Sequence, residues 1–132
     1  DFQQLAIIRE MVRQENYSLE IVGCPIVREP DGLAMSSRNT RLSFEERKNA
    51  LKISQTLFES RTFAAEHTVA ETKQFVEDAI AAAPGLELEY FQLVDGNTLQ
   101  PIATWDETTY AVGCITVFCG AVRLIDNIKY KE

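Results

Sequence analysis

The sequence predicts an α+β fold, on three observations. Two Ser/Thr-x-x-Glu boxes open amphipathic segments at Ser43 and Thr68, a period-two segment begins at Leu86, and a long apolar run follows from Tyr110. Ahead of these, a helical pattern, a short strand and Pro25 follow the order of the closing unit of a parallel α/β sheet, without the strands that it would complete.

Taken in order, Asp1 to about Glu15 reads as a helix, with Leu5, Ile8, Met11 and Val12 on one face and Ile7 beside them. Asp1 and Gln4 form D-x-x-Q, a capping-box pattern in which the carboxylate accepts from a free backbone N–H and the amide reaches back. Leu19 to Val22 is a short strand. Ser43-Phe44-Glu45-Glu46 caps a helix to about Glu59, with Phe44, Leu51 and Phe58 at heptad spacing and expected in the core with Ala50, Ile53 and Leu57.

Thr68-Val69-Ala70-Glu71 opens the next helix, carrying Val69, Phe75, Val76, Ala79, Ile80 and Ala83, and Pro84-Gly85 stops it. Leu86, Leu88 and Tyr90 alternate with Glu87 and Glu89, the pattern of a strand with one wet face. Asp95-Gly96-Asn97 turns the chain. Tyr110 to Cys119, apolar on both faces, is expected as the central strand, with Val122 to Ile125 continuing it after Gly120. Trp105 is read as a lid over this sheet.

Composition narrows the function. The 132 residues, 45% hydrophobic and 25% charged, suit one compact domain. A net charge of −7 argues against nucleic acid, which needs clustered Lys and Arg. The run Tyr110 to Val122 is too short and too β-branched for a membrane helix, so no membrane partner is expected. Cys24, Cys114 and Cys119 lack metal-ligand spacing, so no protein metal site is expected, and Cys114 and Cys119, five apart in one strand, fall on opposite faces. Reduced, buried thiols fit a cytoplasmic protein.

The chemistry concentrates in Asp31-Gly32-Leu33-Ala34-Met35-Ser36-Ser37-Arg38-Asn39, where two hydroxyls, a guanidinium fork and an amide precede a helix. These groups can donate to phosphate oxygens, although Ser, Arg and Asn are also ordinary loop residues. From Arg28 to Arg41 three arginines face Glu29 and Asp31, a local positive surplus in an acidic chain. His67, the single histidine, reads as a residue beside a helix start rather than a catalytic base. Asp95 and Asp126 are read as turn-capping and packing carboxylates.

M-S-S-R-N after D-G-L-A resembles the K-M-S-K-S-like loop of the pantoate–β-alanine ligase family. Asp1-Phe2-Gln3-Gln4-Leu5, Glu20 to Pro25, Phe91 to Asp95 with Thr98-Leu99, and Arg123 to Asn127 resemble the same family in the same order. The resemblance covers about the C-terminal half of such an enzyme. It implies that residues 1–27 end a Rossmann-like α/β nucleotide-binding domain and that 28–132 form a small domain of helices on a short antiparallel sheet.

It further implies an ATP-dependent ligase joining pantoate to β-alanine through a pantoyl adenylate, with ATP as substrate and Mg2+ assisting. Arg38 is the expected transition-state contact; Asp1, Val27, Met35, Ser36, Ser37 and Arg38 are expected to bind ATP, Val27 and Met35 through their backbones, and Gln4 to bind pantoate. The family's H-x-G-H motif lies outside these residues, so this stretch alone is expected to be inactive. The orphaned apolar face of residues 1–27 is expected to pair with a second copy or fold back on the rest. Two other readings fit the residues: a non-catalytic α+β binding module, and a fragment of another adenylyl-transferring enzyme.

Overall fold

The computed structural model describes residues 2–15 and 27–131. The elements run α1 (Phe2–Glu15), a 3-10 turn (Ser37–Arg41), α2 (Phe44–Ala64), α3 (Val69–Ala82), β1 (Leu86–Asp95), a second 3-10 turn (Trp105–Glu107), β2 (Ala111–Cys119) and β3 (Val122–Lys131). The strands form an antiparallel sheet in the order β1-β2-β3, with α2 and α3 against one face. Asp1, the strand expected at Leu19 to Val22, Cys24 and Pro25 lie outside the described residues.

Both expected capping boxes form. In each, the side-chain hydroxyl accepts from the glutamate N–H at 3.1 Å and the glutamate carboxylate accepts from the cap N–H at 2.9 Å, for Ser43 with Glu46 and for Thr68 with Glu71. Each box satisfies two donors that a helix start leaves unpaired.

Helix α2 runs five residues past the expected Glu59. Ser60 and Thr62 are weak helix formers, but packing overrides propensity: Ser60 Oγ donates to Leu57 O at 2.7 Å, and the Phe63 ring stacks on Phe75 of α3 at 4.6 Å. The expectation that Phe44 and Phe58 are core is corrected, since they are 88% and 48% exposed. The buried face of α2 is made of Ala50, Ile53, Ser54, Leu57 and Ser60, whose small members let the helix approach the sheet, and the aromatic stripe is left on its flank.

The core joins Leu57, Val76 and Ile80 from the helices to Phe91, Ile115 and Val117 from the sheet, all at 2% exposure or less. Burying each such side chain contributes about 1.5–3 kcal/mol. In β1 the expected alternation breaks at a bulge between Leu88 and Tyr90. Phe91 and Leu93 therefore continue the core-facing series of Leu88, while Tyr90 joins Val94, Val112 and Cys114 on the other face. Phe2 of α1 meets that second face edge-on at Tyr110, 6.3 Å between ring centres, while Ile7 and Met11 are exposed.

β2 is central, as its two apolar faces predict. The expected continuation of that strand beyond Gly120 is corrected: Gly120, at φ +61°, turns the chain back, and β3 pairs antiparallel with β2 from Val122. The left-handed conformation at Gly120 is one that a Cβ-bearing residue adopts at a cost. Cys119 faces the helices and Cys114 the opposite side, so the two thiols stay apart. Trp105 packs on the core edge, tilted on Tyr130 at 5.5 Å, with its indole N–H donating to His67 O at 2.9 Å.

Candidate functional site

The stretch 28–39 is a hairpin followed by a tight turn. Glu29 N donates to Leu33 O and Gly32 N to Glu29 O, each at 2.8 Å, and Gly32 takes φ +97°. Leu33, 4% exposed, roots the hairpin in the core. Met35 N donates to Val27 O at 2.9 Å, so the two backbone segments expected to border adenine are paired with each other.

From there the chain tightens. Ser36 Oγ accepts from Arg38 N at 3.2 Å and Ser36 O from Asn39 N at 3.1 Å, starting the 3-10 turn. Met35, Ser36, Ser37 and Arg38 are all exposed, and Asn39 beneath them is buried. The amide grouped with the phosphate donors in the sequence is therefore turned inward: Asn39 Nδ2 donates to Glu29 Oε2 and to Ala34 O, each at 3.0 Å.

Arg38 reaches across to the sheet edge, where Nη1 donates to Arg123 O at 3.4 Å. Met35, Ser36, Ser37 and Arg38 line an open cavity of about 350 Å³ with Ile53 of α2 and Leu124 and Ile125 of β3. Its one carboxylate side chain, Asp126, is bound bidentately by Arg28, at 2.8 and 3.0 Å, and so presents no free negative charge to an anion. The cavity thus offers hydroxyls, the Arg38 guanidinium and an apolar floor, which suits a phosphate ester attached to a flat apolar group.

Val27 is 64% exposed beside this loop, whereas Gln4 lies exposed in the first turn of α1 and does not line the cavity. Asp1 lies outside the described residues. His67 is committed elsewhere, its ring stacked on Phe63 at 3.7 Å and Nδ1 bonded to Phe63 O at 2.8 Å. Asp95 Oδ1 caps its turn, accepting from Asn97 N at 2.7 Å and Thr98 N at 3.1 Å. Among the described residues no three His, Cys, Asp or Glu side chains gather to hold a metal ion, and no helix is long and apolar enough to cross a membrane. The pairs Arg28–Asp126 and Glu29–Asn39, which hold the loop from behind, have no local signature in the sequence.

Fold and loop together define an α+β domain that presents a Ser-Ser-Arg turn at the edge of its sheet. The sequence profile described as Pantoate-beta-alanine ligase matches residues 1–129, and the chain belongs to that family. It is 80% identical over 132 residues to the pantothenate synthetase of Bacteroides fragilis, and 76% identical to that of Bacteroides thetaiotaomicron. All of this chain is covered in both comparisons and 47% of each relative, so the chain spans about half the length of the curated relatives it matches.

A crystal structure of pantothenate synthetase from Thermus thermophilus superposes with a TM-score of 0.89 at 39% identity, covering 100% of this chain and 48% of that one. A pantoate-beta-alanine ligase from Francisella tularensis, complexed with beta-gamma ATP and beta-alanine, gives a TM-score of 0.62 at 26% identity over 98% of this chain and 41% of that one.

Proposed function

We propose that this chain is the C-terminal part of an ATP-dependent ligase that joins pantoate and β-alanine to give pantothenate, residues 1–27 closing the nucleotide-binding domain and 28–132 forming the domain that follows. The observation that carries this reading is the exposed Ser36-Ser37-Arg38 turn lining an open cavity, in a chain of this family.

In the first half-reaction a pantoate carboxylate oxygen attacks the α-phosphorus of ATP, the bond from that phosphorus to the bridging oxygen breaks, and pyrophosphate leaves. In the second, the β-alanine amine attacks the acyl carbon, AMP departs, and the amine loses a proton. Negative charge grows on the phosphoryl oxygens and on the leaving pyrophosphate. A permanent cation at Arg38 and donors from Ser36 and Ser37 stabilise that charge more in the transition state than in the ground state.

Val27 and Met35 would border adenine through their backbones, Asp1 would serve the ribose and phosphates, and Gln4 would hold pantoate. Mg2+ would be held by the nucleotide rather than by side chains of this chain, which gathers no three metal-ligating groups among the described residues, and would supply further positive charge against the phosphoryl oxygens. These 132 residues contain one histidine, and it is bound to a helix end, so we propose that the stretch alone does not turn over.

The test uses the full-length protein that carries this segment. Pyrophosphate exchange into ATP that depends on pantoate and not on β-alanine, followed by pantothenate and AMP formation when β-alanine is added, is the expected result. Exchange that ignores pantoate would overturn the reading.

A further inference from the structure

We propose that Asn39 is a positioning residue for adenylation, fixing the Ser36-Ser37-Arg38 turn against the nucleotide; the role rests on the ligase reading above. The four side chains before it, Met35 to Arg38, are exposed and have little packing of their own. Asn39 is 7% exposed, and both Nδ2 hydrogens are used: one goes to Ala34 O, where the turn begins, the other to Glu29 Oε2 in the hairpin. The same Glu29 oxygen is ion-paired with Arg47 Nη2 of α2 at 2.9 Å, and that nitrogen donates to Asp31 Oδ2 at 3.0 Å.

A continuous polar chain, one ion pair followed by two hydrogen bonds, therefore runs from Arg47 of α2 through Glu29 and Asn39 to the carbonyl that starts the turn. Because Asn39 directly follows Arg38, and Asn39 N is bonded to Ser36 O, clamping its side chain fixes both ends of the segment that bears the three donors. The carboxamide itself has no hydrogen left for a substrate. Its Oδ1 is buried without a partner among the described residues, so the side chain's hydrogen bonding there is through its two donated bonds. Asn39 borders the cavity beneath the turn with both amide hydrogens committed to the protein.

The experiment separates the two half-reactions in the full-length protein. Asn39→Ala is expected to lower pantoate-dependent pyrophosphate exchange by roughly 10²-fold in kcat, the loss that follows a misplacement of about 1 Å, in a protein that is still folded at the assay temperature. Conversion of supplied pantoyl adenylate and β-alanine to pantothenate, which no longer needs pyrophosphate displacement, should be retained. Asn39→Asp should lose exchange as well, by placing a carboxylate against Glu29 and Ala34 O. Adding Glu29→Gln to it should restore part of the rate, because the donor and acceptor of that pair are then exchanged.

Equal loss in both half-reactions, unchanged exchange in a folded Asn39→Ala protein, or no recovery in the paired variant would each overturn the role. If Asn39→Ala does not fold, Glu29→Ala removes one of the two bonds that hold Asn39 and must show a selective loss of exchange in the same direction. A wild-type protein without pantoate-dependent exchange would instead overturn the ligase reading and this role with it.

Discussion

Arg28 and Asp126, 98 residues apart, meet in a bidentate ion pair that joins the entry of the Ser-Ser-Arg loop to β3. The guanidinium makes further contacts: Nη1 donates to Gly32 O at 3.1 Å, Nη2 to Asn127 O at 3.5 Å, and the group lies 5.0 Å over the Phe58 ring. Phe58, stranded on the flank of α2, thus has a partner after all.

Removing one member of this pair should cost more than removing both. Arg28→Met leaves the Asp126 carboxylate, only 3% exposed, without its cation, and should destabilise by about 3 kcal/mol, the low end for a buried pair because the Arg28 side chain is 19% exposed. In a urea-unfolding cycle with Asp126→Asn, the double variant should recover about 1 kcal/mol or more relative to additivity. Strict additivity would show that the two side chains act independently.

Arg38→Ala in the full-length protein should slow adenylation by roughly 10²-fold, the size of one transition-state charge contact. Arg38→Lys should restore part of the rate, keeping the charge but losing the fork. An unchanged pyrophosphate burst would reduce Arg38 to a solvated loop residue that rests on Arg123 O.

Much of this was legible in the sequence, and the reasons differ by element. The two capping boxes and the central strand were readable because their signals are local: a hydroxyl three residues before a glutamate, and a run apolar on both faces. The reach of α2 and the bulge at Glu89 were not, since each depends on a partner distant in the chain, Phe75 for the helix and β2 for the strand, and the return of β3 was not, since a glycine such as Gly120 reads equally as a break within one strand. At the site, Ser36, Ser37 and Arg38 could be named from their chemistry. The groups that hold them, Asp126, Glu29 and Arg47, are ordinary surface residue types whose role exists only once the chain has folded.

Burial makes the two described cysteines poor nucleophiles. The Cys114 thiol is pushed up to about 11, and Cys119, raised by burial and then by Glu46, also donates to Glu46 O at 3.2 Å. At pH 8 the Cys114 thiol is about one-thousandth thiolate and the Cys119 thiol is buried and raised in the same direction, so iodoacetamide should leave both unmodified in the native protein and label both in urea, as mapped by mass spectrometry. Labelling of Cys114 in the folded protein would mean that the sheet face around Val112 opens readily.

Asp95 should give the protein part of its acid sensitivity. The Thr108 hydroxyl, with the Asn97 and Thr98 N–H groups, holds its carboxyl below the ordinary value against an opposing push from burial. A carboxyl lowered by folding adds stability above its unfolded value and loses it as the pH falls through the folded one. Asp95→Asn should therefore lower the urea midpoint at neutral pH, with the difference from wild type shrinking as acid titrates the carboxylate. A difference independent of pH would assign the turn's stability to hydrogen bonding alone.

The single tryptophan gives the molecule a built-in optical probe with a restricted field of view. Its indole is tied to His67 at the α2–α3 junction, and Lys131 Nζ donates to its carbonyl at 3.0 Å, at the far end of β3 from Arg123. Seven steps along the strand separate Arg123 from Tyr130, whose ring lies beside the indole, roughly 23 Å. Intrinsic emission should therefore follow the melting of the helix–sheet layer faithfully while staying silent to nucleotide arriving at the Ser-Ser-Arg turn, and a spectroscopic binding assay would need a second fluorophore placed on that turn.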